Sequence, residues 1–361
     1  MKNFLLQKKS QNTLRFFLIV FLLFLILFSN TIFRKKKNWL NENEKLIISE
    51  NKKIEGQVNK NNFKYENKKS KPQINQNSFK TNNLQIYIEK NTAMKFIKIS
   101  SGCFYMGSPN DETGRNQDEG PVHKKCLEDY YIGQYEVTVN EFSLFIKESG
   151  YITEAEKEGY SWIYKGKWKK AKGYNWKNAG YDQDSNHPVV NVSYNDACAM
   201  ANWMSKNNSH KFELPSESQW EYACRAGNQS SRFWGDDPNI ACKYSNVADS
   251  SAKKKFLAWS IHLCEDNYIF TAPVGTFLPN DFGIFDMLGN VWEFCNDKYD
   301  INAYYQKNKK FRVYTKNTKV VIRGGSWYSR MEYIRCASRD NLRNTKRRGF
   351  DLGFRLVSYI K

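Results

Sequence analysis

The 361-residue chain has little histidine and little proline, four and eight residues respectively. The histidines (His123, His187, His210 and His262) are scattered, with no H-x3-H or HExxH spacing, which argues against a histidine-built zinc or iron centre. So few prolines exclude a proline-rich scaffold. The eight cysteines include no CxxC pair, so zinc-ribbon and thioredoxin-type readings fail. There is no Walker A loop, no GxSxG elbow and no GxGxxG fingerprint, which removes the usual signals for nucleotide hydrolysis, serine esterases and dinucleotide binding. No internal repeat of 20–50 residues suggests a solenoid or propeller. What the chain does have is aromatic side chains: 10 Trp, 22 Tyr and 24 Phe. With 40% hydrophobic residues, this composition supplies a sizeable core and speaks against a mainly disordered chain.

The net charge of +19 is unevenly placed. Residues 1–15, a short basic N-terminus, carry +4, residues 34–90 carry +8, and residues 91–361 carry the remaining +7. Most of the excess therefore flanks residues 16–33, a stretch without charge. As a helix this stretch would span about 27 Å, close to a bilayer core. Its continuous apolar part, 16–28, also fits a signal-peptide core, but no small-x-small cleavage site is clear after it. The expectation is an uncleaved single-pass signal anchor. Its basic flanks suit anionic lipid headgroups better than a nucleic-acid groove, so no nucleic-acid partner is expected. Residues 34–93 are rich in Asn, Lys and Gln and poor in aliphatics, which predicts a flexible polar stalk.

From Met94 the texture changes to apolar/polar alternation with glycine turns, and a folded domain is expected over 94–361. Ala197, Met200, Ala201 and Met204 recur at helical spacing within 195–205. Residues 217–225 read as a second helix, capped by Ser216 after Pro215. Residues 135–145 read as a strand that continues into a helix. After Gly227 short aromatic and glycine-rich segments dominate. The class is α+β with low regular secondary structure.

Several segments, in order, carry a resemblance: YMGSPNDETGRNQDEGPVH, YYIGQYEVTVNEF, HPVVNVSYNDACAMANW, LPSESQWEYACRAG, FDMLGNVWEF, VIRGGSW, RCASRD and LGFRL. Together they resemble the formylglycine-generating enzyme (sulfatase-modifying factor) family over about residues 94–361. The resemblance implies a single domain with a variant of the C-type-lectin fold. It also implies a copper- and oxygen-dependent oxidation of a client cysteine, with two cysteines binding Cu(I) shortly after the GGS turn. Here that stretch reads GGSWYSRMEYIRCASR. Ser329 stands at the first cysteine position. The second falls in a segment shorter by about three residues, near 332–334, that holds no cysteine. Cu(I) prefers sulfur, and a hydroxyl does not replace a thiolate. Copper is therefore not expected, no catalytic residue is assigned, and Ser326, Trp327 and Trp292 remain as candidates for the cleft. Three-histidine iron chemistry, known among some relatives, lacks its ligands. Glu217 and Glu221, four apart on one helix, read as structural rather than as an acid/base pair.

The resemblance also implies a Cys224–Cys336 bridge, while a second family bridge maps onto Ala201 and Leu356, both partners being absent together. Cys242–Cys264 and Cys126–Cys295 are further expected pairings, with Cys103 and Cys198 as buried thiols. Two calcium sites are implied: Asp286, Gly289, Val291 and Glu293, and then Asn246, Val247, Asp266 and Tyr268, with side-chain and carbonyl oxygens as ligands. Without the family these are ordinary Asp/Asn turns.

The expected function is a membrane-anchored, extracytoplasmic (periplasmic) binding or accessory module with a protein or peptide ligand in the cleft. The alternatives are an oxidoreductase of the formylglycine-generating type, or a related peptide- or metabolite-modifying enzyme.

Overall fold

A computed structural model describes residues 84–361 except 166, 207 and 307–317. The expected anchor at 16–33 and residues 34–83 of the expected stalk lie outside the described residues. Among the described residues, no helix is long and apolar enough to cross a membrane.

In chain order the elements begin with β1 (Ile86–Ile88), β2 (Lys95–Ile99), β3 (Gly102–Met106), β4 (His123–Leu127) and β5 (Tyr130–Gly133). Two helices, α1 (Val139–Ser149) and α2 (Glu154–Glu158), precede a hairpin of β6 (Tyr160–Tyr164) and β7 (Trp168–Lys172). Then come α3 (Tyr194–Lys206), β8 (His210–Glu213), α4 (Glu217–Arg225) and α5 (Ser250–Lys253). The last elements are β9 (Trp292–Lys298), β10 (Val320–Arg323), β11 (Asp340–Leu342), β12 (Leu352–Gly353) and β13 (Val357–Ile360).

A five-stranded antiparallel sheet has the order β1-β2-β5-β13-β8, and a four-stranded sheet the order β11-β10-β9-β12. Both faces of the central strands are buried. Phe96 and Leu356 belong to one apolar cluster, and their chain neighbours Ile97 and Val357 to another. Ile322 and Val321 on β10, and Phe294 and Cys295 on β9, divide in the same way. This follows from the two-residue alternation of a strand.

The domain starts earlier than the sequence suggests. β1 pairs antiparallel with β2, Tyr87 opposite Phe96, so residues 84–93 belong to the domain and not to a stalk. Ile86 and Ile88 are exposed with Tyr87 half-buried between them, so the strand carries no buried apolar stripe to announce it. The strand expected at the start of 135–145 is also absent: β5 ends at Gly133, and Thr138 caps α1, its hydroxyl accepting from the Glu141 amide at 3.2 Å. A Glu141 carboxylate oxygen accepts from the Thr138 N–H at 2.8 Å, completing a capping box. The other two helices form where expected. Ala197, Met200, Ala201 and Met204 are the buried face of α3, and the Ser216 hydroxyl caps α4 through the Gln219 amide.

Two disulfides are present. Cys242–Cys264 is as expected. Cys103–Cys126 replaces both the expected Cys126–Cys295 bridge and the expected Cys103 thiol. The reason is register: Cys103 and Cys126 face each other across the β3–β4 hairpin. Cys295 is instead a buried thiol on β9. Cys224 and Cys336 do meet, but as thiols, the Cys224 Sγ donating to the Cys336 Sγ at 2.8 Å, rather than through the bond expected of them.

Candidate functional site

The site is built around the end of β10. Arg323 leads into Gly324 and Gly325, both at positive φ. A Cβ on Gly325 would lie 2.6 Å from the Ile334 Cδ1 and 3.3 Å from the Ser329 Cβ, so only glycine fits this turn. The turn then closes on itself. The Ser326 amide donates to the Ser329 Oγ at 2.9 Å, and the Ser329 amide donates to the Ser326 carbonyl at 2.8 Å. The Ser329 hydroxyl is thus an acceptor inside a turn, with no histidine or carboxylate bonded to it among the described residues.

Ser329 forms part of the wall of a cavity of about 400 Å³, together with Tyr164, Trp259, Trp292, Tyr328 and Tyr333. Among the described lining residues there is no cysteine. Of the candidates named from sequence, Ser329 and Trp292 reach this cavity. Ser326 is fully buried behind the turn. Trp327 is also buried, its ring packed edge-on against Phe270 and Phe350. Sequence reasoning missed the hairpin that contributes Tyr164. The signal was there: in YSWIY the aromatics alternate with Ser161 and Ile163, which face inward.

Behind the turn, buried carboxylates are matched by arginines. Glu217 receives two bonds from Arg339, at 2.6 and 3.0 Å. Glu221 receives Arg323, together with Arg225 at 3.0 Å and the Gly107 amide at 2.9 Å. Burial raises the Glu217 pKa, but Arg339 and Arg323 outweigh it and hold the group below its ordinary value. These two glutamates are structural, as their motif suggested. Glu293 is matched likewise, by Arg355 at 2.7 Å on each oxygen and by the Trp220 indole N–H at 2.8 Å.

Glu293 is one of the positions implied for calcium, and the other acidic ones behave differently. Asp286 accepts the Gly275 amide on Oδ2 at 2.6 Å, but its buried Oδ1 has no partner. Glu136, only 1% exposed, has no partner on either oxygen. Burial pushes Asp286 up to about 6 and Glu136 well above its usual range, Asp286 adding to the latter. Glu136 was not singled out from sequence, because nothing in YEVT announces that the acid is buried. Gly289 packs against the second implied site: a Cβ there would overlap the Asn246 carbonyl and the Ser245 hydroxyl.

In that second site the Asn246 Oδ1 is buried and unpartnered. Asp266 accepts the amides of Val247 at 2.9 Å and Tyr268 at 2.8 Å, while its own amide donates to Asp249. Burial, followed by the Asp249 charge, pushes Asp266 up to about 8. Asp249, Asp266 and the Cys242 sulfur are within 4.8 Å of one another. The Cys242 sulfur is tied in its disulfide, so oxygens are the donors there. Glu293 of the first site is already answered by Arg355, but Asp286 and Glu136 beside it, and Asn246 in the second site, keep buried oxygens without a partner, hard donors of the kind that fit a cation such as calcium.

A mixed fold of short helices and sheets, with a pocket at a GGS turn and an arginine-matched core, defines the class to which the comparisons point. A family model described as "Sulfatase-modifying factor enzyme 1-like domain" matches residues 83–360. The chain belongs to this family, the formylglycine-generating enzyme family. The formylglycine-generating enzyme of Mus musculus is 33% identical over 293 residues, 73% of this chain and 75% of that protein. The "Inactive C-alpha-formylglycine-generating enzyme 2" of Bos taurus is 28% identical over 65% of this chain and 76% of its own length. Among solved structures, PvdO from Pseudomonas aeruginosa has a TM-score of 0.62 at 27% identity, covering 76% of this chain and 97% of that one.

Proposed function

We propose that the chain is a membrane-anchored, extracytoplasmic domain of C-type-lectin-like architecture that acts as a binding or accessory module, without copper-dependent oxidase activity. Ser329 carries this reading. It stands in the pocket wall where the resemblance calls for a copper thiolate, and its hydroxyl is a hard, weak ligand for Cu(I). The remaining thiols do not substitute. Cys224, Cys295 and Cys336 are buried away from the pocket, and Cys198 lies on α3. Burial raises Cys224 and Cys295 well above the usual thiol range and Cys198 to about 11, so these three offer no thiolate at neutral pH.

The bovine relative whose name calls it inactive supports the same reading. The apolar run at 16–33 with its basic flanks supports the anchor. Two disulfides suit an oxidising compartment. Calcium is proposed at the two oxygen-rich sites, where it would hold loops that lack a sheet ladder. A second reading, oxidation of a client cysteine by other ligands, is favoured by the similarity to the mouse enzyme. The test incubates the full chain with Cu(I), oxygen and a Cys-x-Pro-x-Arg peptide and follows the peptide mass. Our reading predicts an unchanged peptide while a cysteine-intact family enzyme converts it. Appearance of the aldehyde overturns the reading.

A further inference from the structure

The Ser329 cavity does not end at its aromatic wall. Trp292, Tyr328 and Asp340 are shared with a second, larger cavity of about 810 Å³, so the two form one continuous groove. Its ends differ in chemistry. Around Ser329 the lining is mainly aromatic, with Arg330 and Asp340 as its charged members, and the adjoining loop exposes Leu257 and Leu263, 77% and 78% accessible. Trp259 of that loop stacks on Phe256 at 3.9 Å.

The far end is cationic. The β6–β7 hairpin presents one face to it, because residues two apart share a face and Trp162 is paired with Lys170. Lys170 is exposed, its Nζ 4.4 Å from the Tyr160 ring centre. The Arg347 guanidinium lies 3.8 Å from the Trp162 ring centre and 5.6 Å from that of Trp168. Arg343 is exposed beside it and lines the same groove. Among the described residues, no carboxylate oxygen comes within 4 Å of the charged nitrogens of Lys170, Arg343 or Arg347. Lys346 and Arg348, by contrast, are both answered by Glu158, at 3.1 and 2.9 Å. Lys170 and Arg347 are therefore held over aromatic faces, with Arg343 exposed nearby, and none of the three is in a salt bridge, at the end of a groove whose other end is mainly aromatic.

Two features say what kind of anion. The floor includes β11, the edge strand of its sheet, paired only with β10 among the described residues. An edge strand offers backbone groups that an extended peptide can bond. Glu158, Asp340 and Asp351 also line the basic end, which opposes a polymer charged at every unit, such as a nucleic acid or a sulfated glycan.

We propose that this groove binds an extended acidic peptide, its apolar residues against Trp259 and Tyr328 above Ser329 and its carboxylates on Arg347, Lys170 and Arg343. This rests on the binding-module reading and names its ligand class. The cations also disfavour a basic client, so the chain discriminates against arginine-containing peptides.

The test uses the full chain and fluorescence anisotropy with three labelled probes. One is a nine-residue peptide with leucines at one end and glutamates at the other. The second has lysines in place of the glutamates, and the third is a single-stranded oligothymidylate. The acidic peptide is expected to bind saturably, and the lysine peptide at least about tenfold more weakly. Lys170→Glu combined with Arg343→Glu alters only exposed side chains. It is expected to weaken the acidic peptide by about tenfold or more and to leave the melting temperature unchanged. Arg347→Gln is expected to act in the same direction. Equal binding of both peptides overturns the acidic preference while leaving a peptide-binding module. Preference for the oligothymidylate, absence of binding, or insensitivity to the double substitution overturns the proposal as well. The oxidase question is read separately, from the peptide mass.

Discussion

Two sets of buried carboxylates lie within this one domain, and they are neutralised differently. Glu217, Glu221 and Glu293 each face an arginine from another segment of the chain. Glu136, Asp286 and Asp266 are as deeply buried but keep unpartnered oxygens or a neighbouring acid. The first set is satisfied by the sequence itself. Removing one partner there strands a charge in a low-dielectric interior. No salt bridge reaches the second set among the described residues, and the proposed calcium would supply the missing positive charge. Only the first set is self-sufficient in pinning the domain's short strands and long irregular segments.

The largest effect is expected of Glu221→Ala, which takes from Arg225 its carboxylate and from Arg323 the nearer of its two. We expect a loss of about 3–5 kcal/mol in denaturant unfolding, enough to abolish folding in a marginal domain. Removing the hairpin disulfide by Cys103→Ser with Cys126→Ser should cost about 3 kcal/mol, as measured by chemical denaturation under non-reducing conditions.

For the second set, calcium at a hundredfold excess over its dissociation constant should add about 3 kcal/mol per site, read as a melting-temperature rise that a chelator reverses. Glu136→Gln should shrink that rise without destabilising the chelated protein, because neither carboxyl oxygen has a partner to lose. In chelator, stability should also fall as pH rises from about 4 to 8. Asp286 at about 6 and Asp266 at about 8 in the folded state bind protons that the unfolded chain has already released near 4. This contribution is fully present below the unfolded pKa and is lost as pH rises through the folded values. With calcium bound, the cation takes the place of the protons and the slope should flatten. At the other extreme, Lys254→Ala should leave the melting temperature unchanged, because its pair with Glu265 is solvent-exposed.

Short-range signals were the legible ones. The Ser216 cap, the α3 stripe and the turn holding Ser329 all depend on residues a few positions apart. Long-range partners were not legible. Cys103 finds Cys126 only because β3 and β4 pair in one particular register, and cysteine spacing does not encode that register. The burial of Glu136 is likewise a property of the assembled core. The arginines that answer Glu217 and Glu293 come from 122 and 62 residues away. The basic half of the groove was hidden for a similar reason: Lys170 and Arg347 are far apart in sequence and meet on Trp162.

The calcium content of the purified full chain, taken together with its melting temperature at pH 7 with and without chelator, tests most directly whether the second set is completed from outside. Two calcium ions per chain are expected, with a melting temperature that drops when they are removed. A calcium-free chain whose melting temperature ignores both chelator and added calcium would contradict this expectation.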